Sequence, residues 1–151
     1  MKKLIFILSV CLLLLSIISI GASAEAPEVI LQSRSVEVLE NGDTFVTELY
    51  MPAVQPRTGA TGYRTGTYYN ASGSAIWAVT VNGSFTYNYG VSSKATSASA
   101  TVQIYNNNAT FLSKNAYTSG NTATATASVR YAAYTTNKSI SVSCDVYGNL
   151  Y

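Results

Sequence analysis

The chain has 151 residues, of which 48% are hydrophobic and only 11% charged, with nine Lys and Arg against seven Asp and Glu. It contains no histidine, so an imidazole base and an imidazole metal ligand are both excluded from its chemistry. The bases are dispersed and the net charge is small, which argues against a nucleic-acid partner.

The first 24 residues carry the pattern of a cleaved export signal. Lys2 and Lys3 form a positive start, Leu4 to Ile20 is an apolar run, and Ala22-Ser23-Ala24 is a small-x-small cleavage site before Glu25. An uncleaved anchor is the competing reading, because the apolar run touches the lower limit of a membrane span. The Ala22-x-Ala24 site favours cleavage, and leaves no stable membrane anchor. A lipid-modified Cys11 is disfavoured, since Val10 precedes it and the apolar run continues beyond it. The expected location is therefore secreted, free or associated with the cell surface. After cleavage Cys144 is the sole cysteine, so no intramolecular disulfide can form.

Glu25 to Tyr151 is one domain's worth of chain, long enough to bury roughly two thirds of its unfolded surface. Its charge is unevenly placed. Residues 25–48 hold Glu25, Glu28, Glu37, Glu40, Asp43 and Glu48 against Arg34 alone. Residues 49–151 hold Arg57, Arg64, Lys94, Lys114, Arg130 and Lys138 against Asp145 alone. The acidic segment either simply solvates well or packs on the basic remainder and neutralises it.

Within that acidic segment, 25–51, Ser35–Leu39 and Thr44–Leu49 flank Glu40-Asn41-Gly42-Asp43. Asn-Gly accepts positive φ at both positions, which predicts a β-hairpin. Residues 52–62 contain two prolines and two glycines and predict a linker without regular structure. From Tyr63 onward the polarity alternates residue by residue. Tyr63, Thr65, Thr67 and Tyr69 oppose Arg64, Gly66 and Tyr68. Trp77, Val79, Val81, Phe85 and Tyr87 oppose Thr80, Asn82, Ser84 and Thr86, with a bulge or bend expected at Gly83. Ala98 to Ile104, a weaker stretch at Ala109 to Ala116, Ala123 to Tyr131, and Ile140 to Val146 complete about six strands. This pattern predicts an all-β fold, with residues 63–151 an antiparallel β-sandwich of immunoglobulin-like or similar type. The alanine-rich inner faces require close sheet approach, or large rings opposite them.

The stretch from Tyr68 to the C-terminus resembles a family of small secreted, β-rich proteins of Gram-positive, gut-type bacteria. Tyr69-Asn70-Ala71-Ser72-Gly73 running into Trp77, Gly83 to Asn88, Ala95 to Ser99, Ser119 to Thr124, Ser143-Cys144 and Gly148-Asn149-Leu150 carry the resemblance. It implies export and a β-rich fold and brings no assigned activity. It also implies a disulfide between the C-terminal cysteine and one near position 95. Ala95 stands there in this chain, which leaves Cys144 without that partner.

No catalytic constellation emerges, and the expectation is a protein that is not an enzyme. Asp145 is the lone carboxylate after the linker, so a two-carboxylate glycosidase site cannot form there. Glu37 and Glu48 could meet across the hairpin, but read better as surface charge. No serine sits in a Gly-x-Ser-x-Gly elbow. Alternation turns Cys144 inward beside Val142 and Val146, as a small core hydrophobe. No metal-ligand spacing or phosphate-binding loop is present, so no cofactor is expected. The remaining signal is aromatic: Trp77 reads as core, whereas Tyr68, Tyr105, Tyr147 and Tyr151 sit on polar faces or at the chain end as candidates for an exposed binding platform. The expected function is a non-catalytic secreted binder of a glycan, cell-wall polymer or protein. The alternative is a bacteriocin-like antagonist masked by its acidic N-terminal segment.

Overall fold

The computed structural model describes residues 28–151. The export-signal reading, including Ala22, Ala24 and Glu25, lies outside the described residues. Eight strands follow one another: β1 (Val29–Val38), β2 (Thr44–Pro52), β3 (Gly59–Tyr69), β4 (Ala75–Asn88), β5 (Ser92–Ile104), β6 (Ala109–Ser119), β7 (Thr122–Tyr131) and β8 (Tyr134–Ser143). They form two antiparallel sheets, β1-β2-β3-β4-β5 and β6-β7-β8. Within each sheet every strand pairs with the next in sequence, so short turns suffice throughout. At the β1–β2 turn Gly42 has φ +81°, and its N–H donates to the Leu39 carbonyl at 2.9 Å. The two-residue turn Ala132-Ala133 instead places an alanine at φ 52°, where a side chain costs about 1 kcal/mol or more.

Both sheets contribute to one core. β4 supplies Ile76, Trp77, Val79, Val81 and Phe85, while β7 supplies Ala123, Ala125, Ala127 and Val129. Val142, Cys144 and Leu150 close it toward the C-terminus. The alanines of β7 are matched by rings and glycines on the facing sheet. A Cβ on Gly66 would overlap the Phe45 ring and lie 3.2 Å from Ile140 Cγ2 of the other sheet. A Cβ on Gly83 would come within 2.8 Å of the Phe85 ring and 3.0 Å of Ala123 Cβ. Gly83 is thus not the bulge. It stays in register with Gly62 and Ala98, and the irregularity falls one step later, between Ser84 and Phe85.

Three expectations need correction. The linker over 52–62 shrinks to the loop 53–58, because β2 runs through Pro52 and β3 begins at Gly59. Ala60 is fully buried, and the Gln55 side chain bonds the Thr61 carbonyl and N–H at 2.8 and 3.0 Å. Gly62 looked like a breaker but serves close packing: a Cβ there would lie 2.8 Å from the Tyr50 carbonyl oxygen. Second, the acidic segment is no separate unit beside the sandwich. β2 is bonded on both edges, by β1 and β3, and buries Phe45 and Leu49 in the common core. Third, the strand order is sequential, without the Greek-key crossing that defines immunoglobulin-like domains.

Candidate functional site

Three exposed rings, Tyr89, Tyr147 and Tyr151, gather at the end of the molecule where β4 turns into β5 and the chain finishes. β4 ends at Asn88, and Tyr89-Gly90-Val91 makes the turn into Ser92. The C-terminal loop folds back beside it, closed by the Cys144–Leu150 bridge and by Tyr151 N–H donating to the Ser143 carbonyl at 3.0 Å. Gly90 N–H donates to the Val146 carbonyl at 2.9 Å and ties the turn to the loop. Gly148, at φ +88°, is the residue this loop demands, since a Cβ would lie 2.6 Å from the Tyr87 ring.

Asp145 organises the loop from inside. Its carboxylate accepts from the N–H groups of Tyr147 and Asn149 at 2.8 and 2.9 Å, and from Asn149 Nδ2 at 2.8 Å. Desolvation pushes the Asp145 carboxyl up. Hydrogen bonds from the Asn149 side chain and from the backbone of Asn149, Tyr147 and Gly148 outweigh it and hold the group below the usual carboxylate range. From β5 and from the β6–β7 turn respectively, Ser93 Oγ and Asn121 Nδ2 donate to the Cys144 carbonyl, at 2.6 and 2.7 Å. The loop is therefore fixed at several independent points.

On this scaffold Tyr89 and Tyr147 pack edge to face, with ring centroids 5.2 Å apart and planes at 72°. They remain 72% and 54% exposed. In the same hairpin a groove of about 380 Å³ is lined by Thr86, Tyr87, Asn88, Ser92, Ser93 and Lys94. Aromatic faces beside hydroxyls, an amide and one ammonium suit a polar ligand with an apolar side.

The sequence-derived tyrosines divide. Tyr147 and Tyr151 share the C-terminal loop at this end, and both are exposed. Tyr105 is exposed too, but in the β5–β6 turn at the opposite end. Tyr68 is a correction: it is 5% exposed, its ring stacks on Trp77 with centroids 6.1 Å apart, and its hydroxyl donates to Asp43. Arg64 and Gly66, which share its face of β3, carry no apolar signal, so alternation alone points that face outward. Burial first, and then the bond to Asp43, raise the Tyr68 hydroxyl above its usual range. Tyr89 was missed. The available signal was its place between Asn88 and Gly90, in a hairpin turn that must face water.

The reactive groups are otherwise engaged. Cys144 is fully buried, and its thiol is pushed up by burial and then by the charge of Asp145. Glu37 bonds Lys138 Nζ at 2.7 Å, while Glu48 faces Arg34 at 3.4 Å on the other face of the hairpin, so the two carboxylates do not meet. Among the described residues no group of three His, Cys, Asp or Glu side chains converges to hold a metal ion. A second cavity of about 440 Å³ lies at the opposite end, lined by Leu39, Glu40, Asn41, Tyr68, Tyr134 and Thr136. There Tyr68 and Asn41 are already committed to Asp43. Comparison of the chain with protein-family models, with curated proteins and with solved structures finds no match.

Proposed function

We propose that this is an exported, non-catalytic β-sandwich protein that binds a glycan or cell-wall polymer through its tyrosine-bearing end. Export rests on Lys2, Lys3, the apolar run and the Ala22-x-Ala24 site. The sandwich reading rests on the single core to which both sheets contribute. The observation that carries the function is the exposed Tyr89–Tyr147 pair, held by an Asp145-capped loop at the end of the hairpin whose groove is lined by Asn88, Ser92 and Lys94. Sugar rings present flat C–H faces to aromatic rings and hydroxyls to amide and hydroxyl partners. A preformed site also spends little conformational entropy on binding. The hydroxyl-rich surroundings, in which Lys94 is the one charge lining the groove, favour a polysaccharide over a protein partner, whose interfaces use larger apolar centres.

The double replacement Tyr89→Ala with Tyr147→Ala is expected to weaken binding to cell-surface polysaccharide at least tenfold, about 1.4 kcal/mol, in isothermal titration. Both rings are exposed, so the melting temperature should hardly move. Tyr105→Ala, at the far end, should bind like the unmodified protein. Undiminished binding by the double variant would refute the assignment.

A further inference from the structure

The hairpin that carries the groove continues into a longer polar track. On β4 the core takes Trp77, Val79, Val81 and Phe85, so alternation places Asn82, Thr86 and Asn88 on the face turned away from the smaller sheet. Their register partners on β5 are Ser99, Lys94 and Ser92, with the Ser84–Ser97 pair between. From the hairpin turn to Asn82 these paired positions hold hydroxyls, amides and the one ammonium of Lys94.

A second pair of rings stands at the far end of this track. Tyr63 on β3 lies across from Asn82, and Tyr50 on β2 lies across from Tyr63. The two rings stack with centroids 5.0 Å apart and planes at 17°. The Tyr50 hydroxyl donates to one Glu48 carboxylate oxygen at 3.0 Å, and Arg34 Nε stands 3.4 Å from the other. The stack is thus braced from its own chain, which lowers the entropy a ligand must remove. Both rings are half-buried, while Asn82 and Ser99 in the same row are exposed. One row further along, the Thr65 and Thr80 hydroxyls bond each other at 2.9 Å, so the track ends at Asn82.

Building on the polysaccharide reading of the tyrosine-bearing end, on which this rests, we propose that the ligand is an extended sugar chain. It runs from the Tyr89–Tyr147 pair along the outer face of β4 and β5 to the Tyr63 ring, with an aromatic subsite at each end. Asn88 and Asn82 lie on one strand, and the span between them is about 20 Å at about 3.3 Å per residue. A short fragment reaches one pair of rings only. A chain longer than the span engages the second pair as an intramolecular step, at high effective concentration. Between the two subsites, ligand hydroxyls meet side-chain hydroxyls and amides instead of an apolar gap. That continuity favours one long chain over two unrelated small ligands.

The test is isothermal titration with size-fractionated oligosaccharides made by partial hydrolysis of bacterial cell-wall polysaccharide. Fragments longer than about 20 Å should bind the unmodified protein about tenfold more tightly than disaccharides of the same material. Tyr63→Ala should bring long fragments down to the disaccharide value, whereas Tyr63→Phe, which keeps the ring, should retain the gain. Tyr89→Ala with Tyr147→Ala should weaken every length, so the two subsites report separately. In the unmodified protein, the backbone amides of Tyr63, Asn82 and Ser99 should shift with long fragments and not with disaccharides, which reads the second subsite without any substitution. Affinity that does not change with length, or a Tyr63→Ala protein that binds long fragments like the unmodified one, overturns the extended site and leaves the tyrosine-bearing end standing. Absence of binding at every length overturns both.

Discussion

Trp77→Ala is expected to destabilise the protein by about 3–5 kcal/mol, the range for deleting a large buried aromatic residue. Trp77 is fully buried on β4, the strand bonded to both β3 and β5. Tyr68 stacks on its ring, and Phe45 packs against it with centroids 6.2 Å apart, so the cavity opens where β2, β3 and β4 meet. Thermal unfolding should show a melting temperature lower by more than about 10 °C. Among the described residues the buried indole N–H finds no hydrogen-bond partner, an arrangement that itself costs about 1–3 kcal/mol. Trp77→Phe should therefore cost much less than the alanine variant, because it fills most of the volume and carries no donor. If both variants melt within a degree or two of the unmodified protein, the packing described around Trp77 is wrong.

Asp43→Ala is expected to cost about 3 kcal/mol, although Asp43 lies in a turn near the surface. Its carboxylate is the common acceptor for the Tyr68 hydroxyl, Asn41 Nδ2 at 2.7 Å and the Ala71 N–H at 2.8 Å. It thus ties the β1–β2 turn to the β3–β4 turn. Removing it leaves the Tyr68 hydroxyl, on a buried residue, without this acceptor. Tyr68→Phe should cost less, about 1–2 kcal/mol, because no orphaned donor remains. The double variant should lose clearly less than the two single losses added together, since they remove one shared interaction. Chemical denaturation of the four proteins supplies the comparison, and strict additivity would mean that the bond contributes nothing.

What the sequence disclosed follows from where polarity alternated. On β4 and β7 an apolar residue recurs at every second position, and these are buried: Trp77, Val79, Val81 and Phe85, then Ala123, Ala125, Ala127 and Val129, while Ile76, Ala78 and Thr124 at intervening positions are buried without any such signal. Cys144 was legible for the same reason. β3 was misread because its inner face is Arg64, Gly66 and Tyr68, in which glycine does by absence what an apolar side chain does elsewhere. Gly66 makes room for the Phe45 ring, a contact with a strand about twenty residues away that no local pattern contains. Gly62 misled in the same way, marking a close approach to Tyr50 and Leu150 and not a break. The pairing of β2 with β3 was hidden too, since Pro52 and Pro56 gave the join the look of a linker. At the tyrosine-bearing end, tyrosine content is visible in the sequence, but the convergence of Tyr89 with Tyr147 depends on the Gly90–Val146 hydrogen bond and on Asp145 folding the last residues back.

The tyrosine-bearing end as a polysaccharide site is tested most directly by following the backbone amides of isotope-labelled protein while cell-surface oligosaccharides are added. Shifts concentrated at Asn88 to Lys94 and Asp145 to Tyr151, and saturating with ligand, are the predicted result. Shifts centred on the Leu39–Tyr134 cavity, or no response to any oligosaccharide from a folded sample, would contradict it.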